Sequence, residues 1–561
     1  MNPIISMGTQ SFEKLRQNHS FYIDKSLLIQ EWWENQDDVT LVARPRRFGK
    51  TLNLNMLECF FSNRYAGRSD LFEGLAIWKQ EKYRHMQGNY PVISMSFASI
   101  KETDFATARR KICQLLADVY MQHGFLLEGK CLAEPEKEAF QRKTIDMDDV
   151  DATFALNQLS LYLSRYYGEK AIILLDEYDT PLQEAYVNGY WDQMTQFIRS
   201  MFNATFKTNP HMGRAFLTGI TRVSKESIFS DLNNLTVVTT TSEKYCTQFG
   251  FTEKEVFDAL EFFGIPEEKE QIKAWYDGFT FGSQRDIYNP WSITGFLEER
   301  LYKPYWANTS SNSLVGLLIR QGRPEVKMKI EDLMNGKTLT TEIDEELVFN
   351  QLYRNRDAIW SLLLASGYLR VEERTFDPET GIFTYTLKLT NKEVAIMFRN
   401  MIKGWFADGD VPYNEFLKAM LCDNVKIMNR YMNQVALETF SSFDSGRKPS
   451  EETNPERFYH GFVLGLMAEF TGRYRITSNR ESGFGRYDVM LEPLRDTDPA
   501  FVLEFKVYDP DDEASLTDTV KAALAQIEEK AYDTELVARG ISRSRIRHYG
   551  FAFEGKKVLI G

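Results

Sequence analysis

Hydrophobic positions change their spacing twice along the chain. In the first half, short and nearly continuous apolar runs alternate with longer stretches of helical period. Val39-Thr40-Leu41-Val42-Ala43 and Ala171-Ile172-Ile173-Leu174-Leu175 are two such runs, the pattern of strands buried on both faces of a parallel sheet. Residues 91–97 and 215–219 read as further strands, and 151–167 as an intervening helix. Strand, helix and strand in repetition, with right-handed crossovers, predict a doubly wound α/β domain.

From about 251 to 448 the period becomes mainly helical. Segments 358–368 and 414–432 read as helices, 382–389 as β-like, and Asp286-Ile287-Tyr288-Asn289-Pro290-Trp291 as a loop. The polar stretch 441–455, with Pro449, Pro455 and Gly446, reads as a linker. The pattern then changes again, to a helix over 455–470, strands at 487–491 and 501–507, a helix near 516–532 and a last strand at 549–553. The expected division is 1–300, a mainly helical middle at 301–450, and a small α/β module at 451–561.

Composition narrows the picture. A chain of 561 residues has room for two to four domains, and 43% hydrophobic with 14% aromatic residues supports large packed cores. With 67 Lys plus Arg against 80 Asp plus Glu, the formal charge is −13. That excludes a general basic coat, so any nucleic acid must be met by a local basic groove. Five scattered cysteines without a C-x-x-C pair support neither a disulfide framework nor a zinc ribbon; reduced, mostly buried thiols are expected. The six histidines form no metal-spaced cluster. The start Met1-Asn2-Pro3-Ile4-Ile5 lacks the basic region of a signal peptide. No run approaches the ~18–20 apolar residues of a membrane span. The expectation is a cytoplasmic protein with no membrane partner.

Candidate chemistry begins at Arg44-Pro45-Arg46-Arg47-Phe48-Gly49-Lys50-Thr51, which follows a buried-type strand and opens a helix. Such a loop aims backbone N–H groups and a helix N-terminus at phosphates. Lys50 is expected to bridge the β- and γ-phosphates and the Thr51 hydroxyl to ligate Mg²⁺. Arg44 departs from the usual motif, which begins with Gly. The run 171–175 delivers Asp176 and Glu177 to a strand tip, where open α/β sheets bind ligands. Asp176 is read as holding Mg²⁺ through its water shell and Glu177 as polarising the attacking water. Thr218-Gly219-Ile220-Thr221-Arg222 ends another strand. Its polar residues are candidates for sensing the γ-phosphate, and Arg222 is either a stabiliser of transition-state charge or a structural ion pair.

These motifs, with Phe21-Tyr22-Ile23-Asp24-Lys25-Ser26, Tyr276-Asp277-Gly278 and Tyr288-Asn289-Pro290-Trp291, resemble the bacterial AAA-ATPase-like family over roughly residues 3–300. The arginine-rich loop start is similar to that family's own variant. The resemblance implies a P-loop NTPase fold, ATP binding and hydrolysis, and a homo-oligomer.

In the last module, Phe501-Val502-Leu503-Glu504-Phe505-Lys506-Val507 puts Glu504 and Lys506 on one face of a strand. With Asp488 on a neighbouring strand, Glu504 and Lys506 form a set suited to metal-dependent phosphodiester cleavage. The two carboxylates would coordinate Mg²⁺, while Lys506 orients water and stabilises the phosphorus centre. Glu481 and Glu456 are candidates to complete the carboxylates, Gln526 to brace the nucleophile or metal water, and His460 for a core or capping role ahead of catalysis. Asn479 to Asp488, Leu503 to Lys506, Ala525-Gln526-Ile527 and Tyr549 to Phe553 resemble the PD-(D/E)XK nuclease superfamily, in the branch fused to AAA-ATPase-like domains. Tyr487 stands where that motif has Pro. Residues 451–561 carry 15 Lys plus Arg against 20 Asp plus Glu, a balance of −5; Arg473, Arg475, Arg480 and Arg486 are candidates for a phosphate track. The reading is an ATPase controlling a Mg²⁺-dependent nuclease-like domain, with DNA ahead of RNA as target. The alternative is an ATP-dependent switch whose last domain binds nucleic acid or a partner without cutting.

Overall fold

The structure, a computed structural model, describes residues 4–220, 228–229, 231–306, 324–334, 336–343, 358–407, 414–439, 473–482, 485–495 and 498–561, with single positions 315, 316, 319 and 463. It contains two compact units, Met1–Ser310 with Leu339–Val394, and Ser311–Thr338 with Ala395–Gly561. Residues 301–450, expected as one middle region, are thus shared between the two.

In the first unit, Val39–Ala43 (β1), Val92–Ser96 (β2), Ala171–Asp176 (β3), Met212–Gly219 (β4) and Leu235–Val238 (β5) form a sheet of order β2-β3-β4-β1-β5. All its pairings are parallel. Every residue of β1 and β3 is buried, which is why their sequences are apolar without alternation. The edge strand β5 escapes the sequence pattern because it is only four residues long and half-buried. Helix Lys50–Phe61 (α1) leaves the tip of β1 through Gly49, whose φ of +80° suits glycine.

Phe251–Thr252 (β6), Phe279–Phe281 (β7) and Gln284–Tyr288 (β8) make a second sheet of order β6-β8-β7. The expected loop at 286–291 is therefore the end of a strand followed by a helix. Asp286, at φ +56°, breaks the strand's alternation. Asn289 then caps helix Pro290–Glu299 (α2), accepting from the Trp291 and Ser292 amides, with Pro290 at its first turn. Leu339–Glu342 (β9), Leu369–Asp377 (β10) and Ile382–Leu389 (β11) form an antiparallel sheet of order β10-β11-β9. β10 carries Arg370, Glu372, Glu373 and Arg374 and is mostly solvent-facing, so no hydrophobic period marked it.

The second unit is a mixed sheet of Tyr474–Ser482 (β12), Gly485–Pro493 (β13), Ala500–Val507 (β14), Ile546–Glu554 (β15) and Lys557–Ile560 (β16), in sequential order. Only β14–β15 is parallel. Phe501, Leu503 and Phe505 face helices Asn414–Leu421 (α3) and Val425–Thr439 (α4). Ala500 and Val502 share the opposite core with Met490, Ile527 and Tyr532, the side of helix Leu516–Glu529 (α5). The helix expected over 414–432 is broken at Asp423, whose φ is +57°, and Asn424 starts the next one by accepting from the Ile427 amide. The linker expected at 441–455 and the helix expected at 455–470 lie outside the described residues apart from Val463.

Of the five cysteines, Cys59 and Cys113 are buried, Cys131 and Cys246 half-buried and Cys422 exposed. That is fewer buried thiols than expected. Among the described residues no helix is long and apolar enough to cross a membrane.

Candidate functional site

The C-terminal tips of β1, β4 and β3 lie side by side, with Ala43 paired to Gly219 and Leu175 to Leu217. This adjacency converges residues scattered over 175 positions. Thr51 Oγ1 donates to Asp176 Oδ2 at 2.7 Å, and Thr218 Oγ1 hydrogen-bonds Asp176 Oδ1. The Glu177 amide in turn donates to the Thr218 hydroxyl at 3.4 Å. Lys50 is buried, and its Nζ donates to the carbonyls of Arg44 at 2.9 Å and Pro45 at 2.8 Å. Burial lowers its pKa to about 8 against the opposing pull of Glu177, Asp176 and Asp179.

Glu177 takes φ +50° and accepts from Thr180 Oγ1 at 3.1 Å. Asp179 is buried. It accepts from the Ile220 amide at 3.0 Å and Gln183 at 2.9 Å, closing β4 onto the turn after β3. A hydroxyl on a carboxylate, beside a lysine and a helix N-terminus, is a donor set that fits a nucleotide with Mg²⁺.

The loop is also gripped from outside. The Phe48 ring packs edge-on against Phe279 at 4.8 Å and Phe281 at 5.3 Å, and the Gly250 amide donates to the Phe48 carbonyl at 3.4 Å. A Cβ on Gly250 would stand 2.6 Å from Ile287 and 2.9 Å from Phe48, and one on Gly367 2.9 Å from Pro45, so these contacts require glycine. Asn289 donates to the Arg46 carbonyl at 3.3 Å. Arg47, exposed and at φ +65°, stacks over Trp291 at 4.3 Å.

Three of the expected nucleotide contacts therefore take a different part. The side chains of Arg44, Pro45 and Phe48 are buried against segments outside the loop. Arg44 spends its amide on the Gly219 carbonyl at 3.1 Å, and Pro45 has no N–H to offer. Arg47 is exposed, Arg46, Gly49 and Thr51 are half-buried, and Lys50 is buried with its amine turned back on the loop's own carbonyls. Arg222 lies outside the described residues.

Near this clamp, Asp277 is buried beside Glu253 and Asp286, with Lys273 Nζ 3.9 Å from Asp277 and 3.6 Å from Asp286. Burial, then the adjoining Asp286, push its carboxyl well above the usual carboxylate range. Gly278, at φ +122°, passes so close to the Thr390 carbonyl that a Cβ would sit 2.1 Å from it. These contacts give the Tyr-Asp-Gly motif a physical role, which its sequence did not disclose.

In the second unit, Asp488 shares the sheet face of Met490, and Glu504 and Lys506 that of Val502, so all three lie on the α5 side. Asp488 stands one step beyond the Val489–Leu503 pair, and its Oδ2 accepts from the Phe505 amide at 2.8 Å. Glu504 is only 4% exposed. Gln526, from α5, hydrogen-bonds Glu504 Oε1 through Nε2 and also reaches the Tyr532 hydroxyl at 3.1 Å. Tyr532, three residues past the end of α5, was not expected in the set. Burial, and then the charges of Glu504 and Asp488, raise its pKa, although the Gln526 contact opposes them.

Two carboxylates beside a lysine on one face fit a divalent cation by donor chemistry. The backbone of Glu481 pairs with Arg486 at the β12–β13 end, while its side chain, and all of Glu456 and His460, lie outside the described residues. The expected phosphate track loses two members. Arg473 forms a two-pronged pair with Asp498 at 2.6 Å, and Arg475 reaches Glu492 at 3.4 Å.

The chain is 27% identical over 322 residues to an uncharacterized protein in the vnfD 5′ region of Azotobacter chroococcum mcd 1, which covers 57% of this chain and 56% of that protein. It thus spans little more than half the length of that relative. Loose overall likeness links it to two solved structures. One is a signal transduction ATPase with numerous domains and a tetratricopeptide repeat sensor, PH0952 from Pyrococcus horikoshii, at 12% identity, 83% of this chain, 55% of that chain and a TM-score of 0.24. The other is the Aeropyrum pernix ORC2 protein in ADPNP-ADP complexes, at 9% identity, 70% of this chain, 93% of that chain and a TM-score of 0.22. Residues 6–229 match the family described as predicted AAA-ATPase, and residues 454–561 the PD-(D/E)XK nuclease superfamily. The chain thus joins an AAA-ATPase-like domain to a PD-(D/E)XK nuclease superfamily domain.

Proposed function

We propose that the chain binds and hydrolyses ATP at the tips of β1, β3 and β4, and that this turnover controls metal-dependent cleavage of nucleic acid at Asp488, Glu504 and Lys506. The observation that carries the reading is the 2.7 Å hydrogen bond from Thr51 to Asp176, with Lys50 buried next to it. Lys50 leaves its two carbonyl acceptors for the β- and γ-phosphates, and the backbone amides after Arg46 cradle them. Thr51 and Asp176 would hold Mg²⁺ at the first site, and Asp488 and Glu504 at the second; when bound it neutralises charge on the phosphates.

Glu177 orients the attacking water and accepts its proton, and Thr218 fixes Asp176 in place. Arg222 belongs to the same reading as a source of positive charge. In the second unit, Lys506 stabilises charge developing on phosphorus and Gln526 keeps Glu504 oriented. DNA is the favoured target ahead of RNA, in a cytoplasmic homo-oligomer.

A second reading, binding without cutting, is favoured by one observation: Arg473 and Arg475 are committed to Asp498 and Glu492, which weakens the phosphate track. Incubation of the full chain with Mg²⁺, ATP and DNA or RNA separates the two. Cleavage lost in Glu504→Gln and Lys506→Ala supports the nuclease. Inactivity equal to those variants, with DNA binding unchanged by Glu504→Ala, supports the switch.

A further inference from the structure

Three carboxylates from separate elements meet near the clamp. Glu253 opens helix Glu253–Phe262, Asp277 is the C-cap of helix Lys269–Tyr276, and Asp286 belongs to β8. One oxygen from each lies within 4.8 Å of the other two. The chain's own cation there is Lys273, and it serves the three unevenly. Its Nζ hydrogen-bonds Glu253 but stands 3.9 Å from Asp277 Oδ2 and 3.6 Å from Asp286, too far for hydrogen bonds to either. Asp277 is 7% exposed, and its Oδ1 is buried without a hydrogen-bond partner.

One ammonium against three carboxylates leaves negative charge in excess, and a buried carboxylate oxygen with neither donor nor cation is costly. A shared proton relieves part of that charge, which is why the Asp277 carboxyl is pushed up. A cation would relieve more of it, by meeting Asp277 Oδ1 and its two neighbours together. The donors are all oxygens, which selects a hard ion. Two bonds of about 2.3–2.6 Å, the range of Ca²⁺, cover the spread of these oxygens, whereas two of about 2.0–2.1 Å, the range of Mg²⁺, do not. We infer that Glu253, Asp277 and Asp286 form a binding site for a divalent cation of the size of Ca²⁺, separate from the two Mg²⁺ sites proposed above. Asp277 leads through Gly278 to Phe279, whose ring packs on Phe48, so the ion ties both helices and β8 to the strand that grips the phosphate loop.

The test is Ca²⁺ titration of the full-length chain without nucleotide, read by calorimetry and by thermal unfolding. Glu504→Gln is present throughout as the parent, so that the second unit's carboxylates do not report. The parent is expected to gain roughly 3 °C in unfolding temperature at a hundredfold excess of Ca²⁺ over Kd. Asp277→Asn keeps the shape of the protonated side chain and is expected to abolish both the binding heat and the shift. Asp286→Asn is expected to do the same, which keeps the test open if one variant fails to fold. Lys273→Met removes the competing ammonium and is expected to tighten Ca²⁺ binding about five- to tenfold. An ion-pair cluster that serves only the fold predicts the reverse, a Lys273→Met chain that is less stable and that Ca²⁺ does not restore. No Ca²⁺ effect on the parent overturns the inference, and an effect confined to Lys273→Met does so too, because Lys273 is then the resident counter-ion. A shift that survives in both Asp277→Asn and Asp286→Asn places the ion elsewhere and overturns it as well.

Discussion

The two candidate sites are assembled in opposite ways. The phosphate loop is eight consecutive residues whose lysine is held by carbonyls five and six positions back. Among the described residues, Asp176, Glu177 and Thr218 come from elsewhere, and they arrive because three parallel strands end together. The carboxylate site has only the Glu504-x-Lys506 pair as its local part. Asp488, Glu504 and Gln526 come from two strands and a helix, and their convergence depends on the β13–β14 register and on α5 crossing the same face. A one-residue slip in that register would send Asp488 to the opposite face. The first site is robust because it is local, and the second depends on the packing of a whole unit.

The largest expected effect tests the local site. Lys50→Ala is expected to lower ATP turnover by about 10²–10³-fold, with the thermal unfolding temperature little changed; a turnover within twofold of the unaltered chain would break the comparison. Gln526→Ala probes the assembled site. Removing the group that orients Glu504 is expected to cost about 10–100-fold in metal affinity or cleavage, read by Mn²⁺ titration, while ATP turnover is untouched.

Phe48→Ala asks how far the local loop leans on its surroundings. Losing a buried ring wedged between Phe279 and Phe281 is expected to destabilise the first unit by about 3 kcal/mol, measured by denaturant unfolding; a much smaller loss would mean that the loop keeps its shape without the clamp. The smallest effect concerns Asp277. Its raised pKa means the folded chain keeps a proton that the unfolded chain releases, so stability falls as pH rises from the ordinary carboxylate range toward neutrality. Asp277→Asn is expected to flatten that slope in unfolding temperatures taken between pH 4 and pH 8.

How much was legible follows the same division. The loop, Asp176 and Glu177 stood out because buried parallel strands are continuous apolar runs and catalytic groups collect at their ends. The Glu504-x-Lys506 pair was visible as two charges in an apolar strand. The clamp on Phe48 was not visible, since Gly250, Phe279 and Gly367 belong to segments far apart in the chain. Nor was the commitment of Arg473 and Arg475 to acidic neighbours, which depends on which side chains face each other across β12, β13 and the turn after them. Tyr532 went unnoticed because its ring is core and only its hydroxyl enters the site.

The sequence by itself determined the order of domains, the apolar strands and the residue types of both sites, because those follow from local period and composition. The tertiary structure alone decided which of them meet. Strand order brought Thr218 between Thr51's partner and the loop, and register aligned Asp488 with Glu504. Burial turned Arg44 from an apparent phosphate ligand into a charge held in the wall. Solvent exposure and pairing are properties of the packed chain, and no spacing along the sequence encodes them.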